Sequence, residues 1–210
     1  MALVKYNNNS ISAITSTGLT AGAMTLIKEQ TASSSSTISF VDGTSDVVLD
    51  STYPIYLFKF ITIHPSGSGD TGSKFTFNLS TDTGSNYNVT KTTTWFEASH
   101  RENDSGGSLG YNTNRDLAQG TGFLPLSDNF DSHANDYNLG GELWLFNPSS
   151  TTYVKHFMSK GSGVWNGAGN NHKYTAGYCN TTTAIDGVQF AMSSGNIDAG
   201  TFKLYGIKDS

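Results

Sequence analysis

Cysteine is nearly absent. Cys179 is the only one in 210 residues, so no internal disulfide can form and stability must come from packing. Its place among Tyr174, Ala176 and Tyr178 predicts a packed strand thiol. Charge is also sparse: charged residues make up 14%, against a usual share of about a quarter. The 17 acidic and 12 basic residues are scattered, with a net charge of −5. The chain therefore lacks the clustered basic face that phosphate contacts need, which excludes nucleic acid as a partner. No stretch approaches the roughly 20 consecutive apolar residues that span a bilayer, so no membrane partner is expected. The opening MALVKYNNNSISAITS has no apolar core of a secretory signal, so synthesis in a cytoplasm without export by that route is expected. No window of helix length repeats at 3.6 residues.

Motifs of catalysis are missing as well. His64, His100, His133, His156 and His172 include no pair at the i, i+4 spacing that puts two metal ligands on one helix face, and each reads as a surface or packed residue. There is no G-x-S-x-G elbow and no P-loop. Acidic residues occur in many loops, but nothing singles out a pair for glycoside chemistry. The expectation is a non-enzyme with no cofactor.

What fills the chain instead is 23 glycines, long runs of Ser, Thr and Asn, and 12% aromatics, which supply large buried areas to a core thin in aliphatics. Alternation of apolar and polar residues marks strands at Met24 to Gln30, Thr37 to Val41, Tyr53 to His64, Lys74 to Ser80, Tyr87 to Phe96, Gly140 to Asn147, Thr151 to Ser159 and Lys173 to Asn180. Tyr53 to His64 is apolar on both faces and should lie centrally. The Lys74 and Tyr87 segments read as a hairpin, and so does the closing stretch Ala184 to Lys208, whose polar tip Ser193-Ser194-Gly195-Asn196 is too short for a crossover helix. Glu97 to Asn138 is too long to be structureless and should hold short strands and an exposed excursion. About ten strands between turn signals predict an all-β chain, a single antiparallel β-sandwich over residues 21–210. Residues 1–20 form a polar N-terminal arm, either frayed or ordered by docking on a partner chain.

Two groups of side chains invite a ligand. Ser127 to Asp136 is dense in oxygen donors, but without the glycine and closing glutamate of an EF-hand it reads as a solvated loop, with no metal site assigned. Trp165, Trp95 and Tyr111 lie beside polar loops, where an aromatic face with neighbouring Asn and Asp would hold a sugar; the competing reading is that they cap the core.

Three segments carry a resemblance: DSTYPIYLFKFITIHP (Asp50 to Pro65), LWLFNPSSTTYVKHF (Leu143 to Phe157) and TTAIDGVQFAMSSGNIDAGTFKLYGIK (Thr182 to Lys208). They resemble a family of small virion structural proteins of marine tailed phages, of the cyanophage and pelagiphage type, from Thr31 onward. The resemblance implies a tail-fibre-like or capsid-decoration role and offers no catalytic motif. By analogy with other phage modules it implies a jelly-roll sandwich assembled as a homotrimer, with the arm docked on capsid or tail proteins in the virion. The alternative function is a tail-fibre adhesin that holds a host cell-surface glycan through Trp165, Trp95 and Tyr111. A polysaccharide depolymerase is a third idea.

Overall fold

The computed structural model describes residues 23–67, 72–129, 137–165 and 169–208, with Trp165 by its backbone alone. Among them are twelve strands and no helix: Met24–Ser35 (β1), Thr37–Val41 (β2), Ile55–Pro65 (β3), Phe75–Ser80 (β4), Lys91–Arg101 (β5), Gly107–Tyr111 (β6), Leu124–Pro125 (β7), Leu139–Phe146 (β8), His156–Trp165 (β9), Gly169–Cys179 (β10), Gly187–Met192 (β11) and Ile197–Ile207 (β12). They form two antiparallel sheets. The large one has eight strands in the order β1-β12-β3-β8-β9-β10-β5-β6, and the small one four in the order β2-β11-β4-β7. Consecutive strands pair only at β5–β6, β8–β9 and β9–β10; every other connection carries the chain from one sheet to the other.

Those crossings correct two expectations. The closing stretch is not a hairpin. β11 lies between β2 and β4 in the small sheet, while β12 lies between β1 and β3 in the large one. Alternating apolar residues suit either arrangement, because a strand needs only one buried face. Here Phe190 of β11 and Phe202 of β12 meet across the interior, ring centroids 5.5 Å apart, instead of lying side by side in one sheet. The polar tip is an arch held by Ser66, whose Oγ accepts from the Asn196 N–H at 2.8 Å. Likewise β4 and β5 belong to different sheets. All six residues of β4 are buried, so it is an interior strand rather than half of an exposed hairpin.

The strand expected to be central does lie inside the large sheet, between β12 and β8. Its alternation breaks once. Thr62 takes φ 55°, and the pairing with β8 shifts between Phe60 and Ile63. Ile63 is therefore turned inward and fully buried, while Ile61, two residues before it, stays exposed. Opposite this bulge Gly200 sits at φ +143°, where a Cβ would lie 2.6 Å from Ile63 Cδ1, so only glycine fits. The serine run extends β1, with Ser33 and Ser35 pairing with Ala199 and Ile197 of β12. The long segment after Glu97 contains the short strands β6 and β7, as its length required.

The core is aromatic. Phe40, Phe58, Phe60, Phe75, Phe77, Phe190 and Phe202 fill the space between the sheets, mostly edge to face, and Phe157 joins through Phe77 at 5.2 Å. Three lysines are also interior: Lys91, Lys155 and Lys173. Lys91 donates to Asn78 Oδ1 at 2.5 Å and to the Val89 carbonyl at 2.7 Å. Lys155 donates to the carbonyls of Ser150, Thr181 and Thr183. Such groups are tolerated inside only where hydrogen bonds replace water. Cys179 is buried near Lys91 and Lys155, and burial pushes its thiol up to about 11.

Candidate functional site: the outer face of the large sheet

In a strand, every second side chain leaves the core. Because the strands of the large sheet share one register, their outward residues fall into rows that cross it. One row runs Tyr111, Phe96, Tyr174, Lys160, Glu142, Lys59, Lys203, Glu29, one residue from each of the eight strands. Beside it runs a mostly apolar row: Thr94, Ala176, Met158, Trp144, Leu57, Tyr205, Leu26. Aromatic and apolar groups thus gather on β5, β10, β9 and β8, and charges of both signs fill the first row toward the β1 end.

Between the two rows lies an open depression of about 350 Å³, lined by Phe96, Tyr174, Trp144, Met158, Ala176 and the Glu142–Lys160 pair. Phe96 and Tyr174 stack with centroids 4.9 Å apart and planes 11° from parallel, and His172 packs on Tyr174 at 4.4 Å. Met158 is 50% exposed on the floor. Glu142 Oε1 accepts from Trp144 Nε1 at 2.9 Å and lies 3.1 Å from Lys160 Nζ. Burial pushes this carboxyl up, but the indole N–H and the ammonium outweigh it and hold it below the usual carboxylate range. The site therefore presents aromatic and thioether surface next to a largely buried carboxylate and the more exposed ammonium paired with it. Chemically, that suits a ligand with an apolar face and hydroxyls at its rim.

The three residues expected to touch a glycan do not converge. Tyr111 lies on β6 opposite Phe96 and joins the aromatic row, and its hydroxyl donates to Asp116 Oδ2, which raises its pKa. Trp95 belongs to the core: it is 0% exposed, on the opposite face from its neighbour Phe96, with Nε1 donating to the Pro125 carbonyl at 3.0 Å. This corrects its assignment as a surface contact. A single residue decides the face, and local composition does not reveal which. Trp165 ends β9 opposite Gly169, and its side chain lies outside the described residues. Of Ser127 to Asp136, residues 130–136 also lie outside them. Within the described part, Asp128 is engaged by Arg115 at 2.8 Å, and the Ser127 hydroxyl accepts from the Phe75 N–H at 2.8 Å. Among the described residues no three His, Cys, Asp or Glu gather as a metal centre.

Sequence reasoning missed Phe96, Tyr174, Trp144 and Met158 as a group. Their alternation was visible strand by strand, but their meeting depends on which strands are neighbours. Compared with family models, with curated proteins and with solved structures, the chain matches none.

Proposed function

We propose that the chain is a structural component of a tailed-phage virion, a jelly-roll module that decorates the capsid or builds a head or tail fibre and is held there by residues 1–20. The observation that carries this reading is the outer face of the large sheet, where Phe96, Tyr174 and Met158 stay exposed on three adjacent strands. Contiguous apolar surface of this kind marks a site of association, and in a particle the neighbouring capsid or tail proteins are the partner. The strand order supports the jelly roll. With β5, β6, β9 and β10 set aside, the sheets read β1-β12-β3-β8 and β2-β11-β4-β7, four strands each, with the chain wrapping between them throughout. The other four strands are two excursions that widen one sheet. An antibody against the chain should label intact virions over the head or the tail, and deletion of residues 1–20 should remove that label while the β domain still folds. Unlabelled particles would overturn the virion reading; label that survives the deletion would overturn the role of the arm.

The depression between Phe96, Trp144 and Tyr174 favours a second reading, a tail-fibre adhesin for a host cell-surface glycan. Sugar C–H faces would lie on the aromatic surface and hydroxyls on Glu142 and Lys160. On an array of host-type glycans, Tyr174→Ala should weaken any signal at least tenfold, about 1.4 kcal/mol. Signal unchanged in Tyr174→Ala, or no signal from the wild type, would leave the structural role alone.

A further inference from the structure

An exposed sheet edge is a template for another strand, and proteins normally blunt it. Three of the four edges here are blunted. β1 is bulged between Leu26 and Lys28 and carries Lys28 and Glu29. β2 is only five residues long, and the Ser39 carbonyl is capped by Gln30 Nε2 at 2.8 Å. β7 is two residues, one of them Pro125, whose carbonyl is taken by Trp95.

The fourth edge, β6, shares only the five-residue length of β2. Its sequence GSLGY has no charge, no proline and no bulge, all five residues are exposed, and Leu109 is 77% exposed. Hydrogen bonds at both ends fix the phase of its pairing: Arg101 N–H to the Gly106 carbonyl and Asn112 N–H to the Trp95 carbonyl, each 3.0 Å. Antiparallel pairing alternates, so Ser108 and Gly110 turn their backbone groups toward β5. Gly107, Leu109 and Tyr111 turn theirs outward, away from the sheet.

From this edge we infer that the chain forms a two-fold dimer by pairing β6 with β6 of a second copy, antiparallel and centred on Leu109. The outward groups choose both the register and the occupant. With Leu109 opposite Leu109, Gly107 of each copy falls opposite Tyr111 of the other, and all three positions become hydrogen-bonded pairs that exchange N–H and C=O in both directions. A shift of one residue would oppose outward groups to inward ones. Side chains agree with this register, since the large Tyr111 meets glycine, which has no side chain to resist it, and Leu109 meets its own equivalent on the same face. Any strand could satisfy the backbone. This one also supplies complementary volumes from its own sequence, the self-complementarity that a two-fold contact requires. The pairing joins the Tyr111–Phe96–Tyr174 groups of both copies into one aromatic surface and makes a continuous sheet of two large sheets. A five-residue edge buries less than the roughly 1,000 Å² of a stable interface, so association should be reversible and concentration-dependent. A two-fold contact takes the place of the threefold one expected from the resemblance. It rests on the edge alone and stands whether or not the chain belongs to a virion.

Sedimentation equilibrium of the full chain over a range of concentrations should show a monomer–dimer equilibrium. Leu109→Lys, which places like charges opposite each other, should weaken it at least tenfold with the same thermal unfolding, since Leu109 is solvent-exposed. Leu109→Cys should cross-link across the two-fold under mild oxidation, because hydrogen-bonded partners lie about 5.5 Å apart at Cα. Ser108→Cys should not, its equivalents being too distant. Buried Cys179 does not compete. An oligomer of any size that is insensitive to Leu109→Lys overturns the proposal. So does a wild-type chain that stays monomeric throughout, which leaves the edge to a strand of another protein.

Discussion

Phe190→Ala is expected to lower the unfolding free energy by about 3–5 kcal/mol, a large share of the 5–15 kcal/mol that holds a typical domain. Phe190 sits on β11, between β2 and β4 of the small sheet, and is fully buried. Its ring lies 5.0 Å from Phe60, 5.5 Å from Phe202, 5.6 Å from Phe58 and 5.7 Å from Phe75, with Phe40 and Phe77 at 6.4 Å. These neighbours come from four strands of both sheets. They are rigid rings already locked against one another, so the space left by the phenyl cannot close by small shifts, and the lost contacts add to the lost transfer energy. Urea unfolding of the wild type and the variant measures the difference. Phe96→Ala, on the exposed outer face, serves as the control and should cost under about 1 kcal/mol. Equal losses at the two sites would mean that the interior between the sheets is not the seat of stability.

The second large effect is an alkaline gain in stability. Burial pulls Lys91 and Lys173 down to about 8, and it lowers Lys155 as well. In the unfolded chain these amines titrate near 10.4. Below pH 8 they are charged in both states. Above it the native protein releases protons that the unfolded chain still holds, and stability rises with pH wherever the unfolded state binds more protons. Between pH 7 and 9 each of the two lysines at about 8 should contribute about 1.4 kcal/mol. Cys179 acts in the opposite sense. Its native thiol is held at about 11, so unfolding releases its proton first, and its contribution declines as pH passes the ordinary thiol value, about 8.5. The net expectation is a rise of about 2 kcal/mol from pH 7 to 9 in urea unfolding. Lys91→Met should remove about two thirds of this rise. A flat profile from pH 7 to 9 would show that these amines are hydrated in the folded state.

How far the site could be read from the residues differs by level. Alternation marked β2, β3, β4, β8 and β11 to within a few residues, because a half-buried strand needs an apolar residue at every second position. The same rule misled at Ile63, where a positive φ at Thr62 restarts the alternation. It was silent on Lys91, Lys155 and Lys173: a lysine in a strand reads as solvated until its carbonyl and amide partners are known. Trp95 and Phe96 are the sharpest case. Adjacent aromatics beside a polar loop, they point to opposite sides of one sheet, and only the residue expected to be a surface contact is buried.

By itself, the sequence determined the all-β class, the reliance on aromatic packing without disulfides, and the approximate position of most strands. These follow from period, composition and turn chemistry, which act over a few residues. Only the tertiary structure decided that the last two strands part into different sheets, that Phe96, Tyr174, Trp144 and Met158 meet on one face, and that β6 is left as an open edge. Each of these depends on which strands become neighbours. That choice is made by the fit of side chains from distant segments, such as Phe190 against Phe60 and Phe202, and no local pattern encodes it.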